Sequence, residues 1–131
     1  MKKILTIFII LPMLILVSSC EKSNYDYDDF NEIHLDYWGE VDEVITDGVF
    51  LVYYYSPFCP DCESIKNDIL KAISKRGDRY TVYLMKSMDV ANQGTPPTPL
   101  RGTPSLFIYE NKTFSEVKLG PGEVMNYINQ L

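Results

Sequence analysis

The run "VFLVYYY", residues 49–55, is apolar on both faces and rich in β-branched and aromatic side chains. A strand with one face in water alternates, so a run without alternation belongs in the middle of a sheet covered on both sides. Ser56 and Pro57 end it. Ile65, Ile69 and Ile73 then recur at the four-residue spacing of a helix face, which stops near Gly77. These two elements commit the chain to an α/β layered fold with the strand at its centre. Further along, "YTVYLM" at residues 80–85 predicts a second strand. "SLFIYE" and "TFSEVK" about Asn111 and Lys112 predict a hairpin. Gly120, Pro121 and Gly122 separate that hairpin from a short terminal helix carrying Val124 and Ile128. Upstream, Ile33, Tyr37, Val41 and Val44 recur at spacings of three and four, predicting a helix from Phe30 until Asp47 and Gly48 break it. Residues 89–104 form a polar loop whose prolines at 96, 97, 99 and 104 exclude a regular helix across its second half. No internal repeat is present.

The amino terminus bounds the compartment. Lys2 and Lys3 precede an apolar run at residues 4–17, shorter than the ~20 residues of a spanning helix and followed by small residues. That is the pattern of a secretory signal, placed at residues 1–19. Its end, "LVSSC", resembles the bacterial lipobox, in which the cysteine, here Cys20, is joined to diacylglycerol and becomes the first mature residue. The alternative is an ordinary signal with Cys20 a stray thiol. Lipidation also resolves the cysteine count: of three cysteines, Cys59 and Cys62 then remain as a pair. Twelve basic and eighteen acidic side chains give a charge of −6, and loss of Lys2 and Lys3 with the leader takes it to −8. That balance argues against nucleic acid and against binding to an anionic membrane surface by charge. Ten acids and one lysine fall in residues 21–47. Residues 20–29 read as a solvated acidic spacer, and residues 30–131 as one domain with one core.

The segment "DGVFLVYYYSPFCPDC" puts a Cys-x-x-Cys motif at the exit of the central strand and the start of the next helix. "LRGTPSLFIYEN" puts a Gly-Thr-Pro ahead of the hairpin some forty residues on. In both segments the chain resembles the thioredoxin family, over residues 30–131. The resemblance implies a thioredoxin-like fold, a central mixed sheet flanked by helices. It implies a cis peptide at Pro104, which packs against the cysteine pair, and a role for the Thr103 backbone in binding an extended substrate segment. The family's first strand has no clear counterpart in residues 21–29. Two further departures stand out. The tryptophan common before the first cysteine is Phe58 here, and the buried aspartate of many thioredoxins, which moves the proton of the resolving cysteine, aligns with Tyr53.

The cysteine pair has three readings. A zinc site needs about four ligands, and beyond Cys59 and Cys62 the chain offers only His34, expected to be exposed or capping, so no metal is expected. A structural staple across two residues closes too small a loop to stabilise much. Exchange fits best. A thiolate attacks a disulfide sulfur, and the N–H groups of a helix start stabilise that charge by roughly 0.3–2 kcal/mol. Cys59, at the exposed turn, is expected to attack; Cys62, one turn in, is expected to be buried and to resolve the mixed disulfide. Pro60 suits the first turn. Asp61 sets a carboxylate beside the thiolate, a repulsion of about 1 kcal/mol that leans the couple toward a reductant.

The sequence thus points to a lipid-anchored thiol–disulfide oxidoreductase on the extracytoplasmic face, with a redox-active Cys59–Cys62 disulfide and no other cofactor. Its expected partners are extracytoplasmic protein thiols or disulfides and a membrane thiol electron donor, with reduction favoured over oxidation. The alternative is a non-catalytic accessory module. It would hold an extended peptide at Pro104 and the proline-rich loop during export or maturation of a secreted product.

Overall fold

The computed structural model describes residues 21–87 and 94–131; the leader and Cys20 lie outside them. Strand β1 (His34–Leu35) is followed by the single-turn helix α1 (Val41–Val44), then β2 (Val49–Tyr55) and the long helix α2 (Pro60–Ser74). The chain continues through β3 (Thr81–Lys86), β4 (Ser105–Glu110), β5 (Thr113–Leu119) and the closing helix α3 (Gly120–Ile128). The five strands order as β1-β3-β2-β4-β5. β3 runs parallel to both β1 and β2, whereas β4 runs antiparallel to β2 and β5, so the sheet is mixed.

β2 is the central strand, and its period of two explains the absence of alternation. Leu51, Tyr53 and Tyr55 project into one core, shared with Ile65, Ile69 and Ile73 of α2 and with Val124 and Ile128 of α3. Phe50, Val52 and Tyr54 project into a second core, shared with Leu35, Trp38, Val41, Phe107 and Tyr109. Each such side chain taken fully from water stabilises the fold by about 1.5–3 kcal/mol, so both layers are needed to hold β2. The hairpin turn falls where expected. Asn111 and Lys112 have φ of 49° and 67°, the left-handed pair a two-residue turn requires to match the twist of its strands.

The predicted helix over residues 30–47 is replaced by shorter pieces. A 3₁₀ segment covers Tyr27–Ile33, β1 follows, a second 3₁₀ turn covers Trp38–Glu40, and α1 is one turn long. The reason lies in the packing. Ile33 belongs to the core beneath α2, whereas Val41 belongs to the opposite one. The chain must cross the sheet edge between them, which a continuous helix cannot do. β1 marks the crossing and supplies the short first strand missing from residues 21–29.

The acidic segment ahead of Phe30 is packed rather than solvated along its whole length. Tyr27 is 9 % exposed and stacks on Tyr55 at 3.7 Å between ring centroids. The N–H of Tyr25 donates to Asn67 Oδ1 at 3.0 Å. Tyr27, Phe30 and Ile33 are buried at a spacing of three, which suits three residues per turn. Packing against the core therefore reaches back to Tyr25, with Asp26, Asp28 and Asp29 facing water. Residues 94–104 carry no helix or strand. Among the described residues no helix is long and apolar enough to cross a membrane.

Candidate active site

β2 ends at Tyr55, and the turn that follows is closed by short local bonds. The Cys59 N–H donates to Ser56 O at 3.3 Å and the Phe58 N–H to Ser56 Oγ at 3.2 Å. Cys59 then caps α2: its extended backbone leaves the sulfur over the helix start, where it accepts the Cys62 N–H at 3.1 Å. Pro60 at the first helical position has no N–H to leave unpaired. Asp61 is exposed at the outer face of this turn, and its carbonyl accepts the Ser64 hydroxyl at 2.7 Å.

The second wall comes from the other side of the sheet centre. The Thr103–Pro104 peptide is cis, and the Cys59 thiol donates to Thr103 O at 3.3 Å, joining positions 44 residues apart. This loop is pinned on both sides. The Ser105 hydroxyl, almost fully buried, donates to Gly102 O at 2.6 Å. The Gly120 N–H donates to Pro104 O at 3.0 Å. Gly102 has φ of 135°, a conformation that favours glycine. Ser105 has no signature in the sequence beyond its place after the Gly-Thr-Pro; its contribution is visible only in the fold.

The two sulfurs differ sharply in environment. Cys62 is 1 % exposed, while Cys59 is partly open. Burial pushes the Cys62 thiol up to about 11, with the neighbouring Cys59 sulfur adding to the effect. For Cys59, burial opposes ionisation, but it is outweighed by hydrogen bonds from the Cys62 thiol, the Thr103 side chain and the backbone N–H groups of Cys62 and Asp61. The Cys59 thiol is held below its ordinary value. What Asp61 brings to Cys59 here is its N–H.

Beneath the pair lies a floor of tyrosines. Tyr53 is 0 % exposed, and its ring is parallel to that of Tyr55, which in turn stacks on Tyr27. The hydroxyls of Tyr53 and Tyr27 are fully buried, and neither has a hydrogen-bond partner. Burial first, then each other's proximity, holds the Tyr53 phenol far above its ordinary range; burial does the same to Tyr27. His34, expected to be exposed or capping, instead bridges two elements. Its Nδ1 lies 3.1 Å from Phe30 O and its Nε2 2.8 Å from the Tyr55 hydroxyl. A carbonyl can only accept, so Nδ1 carries a proton, and in the neutral ring Nε2 accepts from Tyr55. Phe58, in contrast, is 77 % exposed beside Cys59, and its ring stands in solvent. Among the described residues no group of three or more His, Cys, Asp or Glu is arranged to hold a metal ion.

No family model matches the chain, and no curated protein matches it. Solved structures do. The chain is similar to thioredoxin of Plasmodium falciparum, with a TM-score of 0.57 and 16 % identity over 74 % of this chain and 96 % of that one. It is also similar to thioredoxin of Malassezia sympodialis, with a TM-score of 0.54 and 17 % identity over 74 % of this chain and 87 % of that one. The fold is thioredoxin-like: a five-stranded mixed sheet with flanking helices and a close cysteine pair at the end of its central strand.

Proposed function

We propose that the chain is an extracytoplasmic thiol–disulfide oxidoreductase, lipid-anchored through Cys20, that exchanges disulfides with partner proteins through Cys59 and Cys62. The observation that carries this reading is the unequal pair: a partly open, depressed thiol at the cap of α2, over a buried, elevated one in the same turn.

Each step follows from that asymmetry. The Cys59 thiolate attacks one sulfur of a partner disulfide; the partner's S–S bond breaks and its other sulfur leaves as a thiolate, taking a proton from water. Cys62 then gives up its proton and attacks the Cys59 sulfur. The Cys59–partner bond breaks, the second partner thiol departs, and two electrons have passed to the partner. The carbonyl of Thr103 serves the first step. It accepts the Cys59 proton in the resting thiol; once Cys59 ionises, that carbonyl has lost its donor and is free to accept an N–H from an extended partner segment lying along Pro104. Re-reduction requires a dithiol donor, and on the far side of a membrane that donor must itself be membrane-borne.

Two features set the direction. The exposed carboxylate of Asp61, screened by water, leans the couple only weakly toward reduction of partners, whereas the N–H of Asp61 and the other donors to Cys59 stabilise the dithiol form and oppose that lean. The potential decides between them. Free thiols are titrated against a graded series of glutathione buffers, alongside trapping by the single-cysteine variants. The expected result is one reversible two-electron transition, with Cys62→Ser accumulating a mixed disulfide through Cys59 and Cys59→Ser accumulating none. A bridge that never opens would instead describe a peptide-holding module.

A further inference from the structure

The segment that leads back toward Cys20 runs along α2 in a fixed direction. Asp26 lies by Lys66, at 3.5 Å from its Nζ. Tyr25 lies by Asn67, and its hydroxyl accepts from Ser74 at 3.3 Å. Glu21, one residue after Cys20, pairs with Lys71 at 3.2 Å and with Lys75. Residue by residue, the chain moves from the start of α2 toward its end. Exposed ion pairs contribute little, so the direction is set by buried Tyr27 and the bonds of Tyr25, and Glu21 only biases the last step.

That end of α2 is also where basic side chains are densest, although Glu21 pairs with Lys71 and Lys75, and Asp68 and Asp78 lie among them. Lys71, Lys75, Arg76 and Arg79 are four of the ten basic residues that follow Cys20 in an otherwise acidic chain. Arg76 and Arg79 fold back onto the carbonyls of Ile73, Lys75 and Arg76, concentrating charge at the helix terminus. The cysteine pair sits at the opposite terminus. From the cap at Cys59 to the cap at Lys75 the helix axis spans about 24 Å. Only four residues lie between Cys20 and Tyr25, five steps of chain that reach at most ~18 Å.

We propose that the carboxyl-terminal end of α2 is a bilayer-facing surface whose occupant is anionic phospholipid headgroups, and that the Cys59–Cys62 pair is thereby held facing away from the membrane. This rests on the lipidation of Cys20 proposed above. A lipid chain and a basic patch at one point are the two signals stable anchoring needs. The partner chemistry follows: the site takes disulfides carried by soluble proteins, or by domains standing clear of the bilayer. Cysteines at the headgroup surface are out of its reach, so the electron donor must present its thiols well above the membrane.

The test uses the full chain carrying Cys62→Ser, expressed with its own leader and reconstituted in vesicles of three parts phosphatidylethanolamine to one of phosphatidylglycerol. Flotation with the vesicles, lost in Cys20→Ser, is read first. Reduced Cys59 is then offered a soluble maleimide or one coupled to a lipid headgroup. The lipid-coupled reagent is expected to label Cys59 at least about tenfold more slowly than in a form with an inserted linker, because a tether that cannot span the gap gives almost no effective concentration. The linker is twenty Gly-Ser residues placed after Ser23, with a mean span of about 25 Å. Replacing phosphatidylglycerol by phosphatidylcholine should bring the unmodified tether toward the linker form. Absence of flotation, or flotation unaffected by Cys20→Ser, overturns the lipidation and this proposal with it. Flotation with equal labelling of both tethers overturns the orientation and leaves the anchor standing. Shielding that persists in phosphatidylcholine overturns the headgroup contact.

Discussion

Tyr53 makes the resolving step testable. It lies under a thiol pushed up to about 11, chiefly by burial, so at pH 7 only a very small fraction of Cys62 is ionised. If the Cys62 thiolate is the attacking form, decay of the mixed disulfide should quicken roughly tenfold per pH unit from 7 to 9. The tyrosine gives no relief, because a phenol held far above its ordinary range by burial cannot take the proton. A carboxylate in that place can. General-base assistance contributes about 10²–10⁴-fold, so Tyr53→Asp is expected to raise the rate near neutrality by about a hundredfold and to flatten the profile. Losing the fully buried ring costs about 3–5 kcal/mol, and burying a carboxylate costs more. Because that variant spends a large share of a typical 5–15 kcal/mol of stability, Tyr53→Phe is the companion. It removes only a buried hydroxyl without a partner, and should stabilise the protein by about 1 kcal/mol while leaving the pH slope untouched. The assay is the single-turnover decay of a trapped mixed disulfide from pH 6 to 9.5 for all three forms. Either of two results refutes the reasoning: a parent decay that is flat with pH shows that loss of the Cys62 proton does not limit the step, and a tenfold slowing in Tyr53→Phe shows that the phenol takes part.

The reduced protein should lose stability in alkali. The Cys62 pKa is higher in the folded chain than in the unfolded one, so its contribution is complete below the ordinary thiol range near 9 and is lost as pH rises through 11. Tyr109, raised by burial to about 12, extends the loss upward. Urea unfolding at pH 8 and pH 10.5 should show the decline in the dithiol form and much less in the disulfide form; equal declines would exclude Cys62 as its source. Tyr27→Ala should cost about 3–5 kcal/mol for its buried ring, read as a shift in the urea midpoint, and a cost under 1 kcal/mol would return residues 21–29 to the role of spacer. Ser105→Ala strips the buried donor from Gly102 O and should cost about 1–3 kcal/mol. It should also slow formation of the mixed disulfide, because the loop that carries Thr103 loses one of its pins; an unchanged rate would separate Ser105 from the chemistry.

What the sequence revealed, and what it hid, divides along the range of the interactions. β2, the Ile65–Ile69–Ile73 stripe and the turn at Asn111 and Lys112 announce themselves because their causes are local: a period, a cap, a left-handed pair. The stretch after Phe30 does not. Periodicity reports that a residue is buried, not on which side of a sheet, and Ile33 and Val41 are buried on different sides. Tyr27 is hidden by its company, since aromatic residues among aspartates have the composition of a solvated segment. The spacing of Tyr27, Phe30 and Ile33 was the available signal. At the site, Cys59 and Cys62 are legible from their motif. The approach of Thr103 to Cys59 spans 44 residues and was suggested only by family resemblance. The bond from Tyr55 to His34 spans 21 and had no sign at all.

The tyrosine floor and the depressed attacking thiol are parts of one arrangement. Burial works against a charge on Cys59, and the Cys62 thiol is foremost among the groups that overcome it. That help depends on Cys62 keeping its proton, because a thiol can donate to the neighbouring sulfur and a thiolate cannot. The same burial that pushes Cys62 to about 11 therefore keeps the donor in place. Beneath it the Tyr53 and Tyr27 hydroxyls make no hydrogen bond and burial keeps both phenols protonated, so they give that proton no base to go to; on the proposed function, the arrangement favours attack and delays resolution. The consequence expected from that reading is a long-lived covalent complex with the partner. If the chain is the anchored oxidoreductase proposed above, it handles few partners slowly and holds each one while it is joined, which suits a catalyst fixed in place better than one that must turn over a dissolved pool.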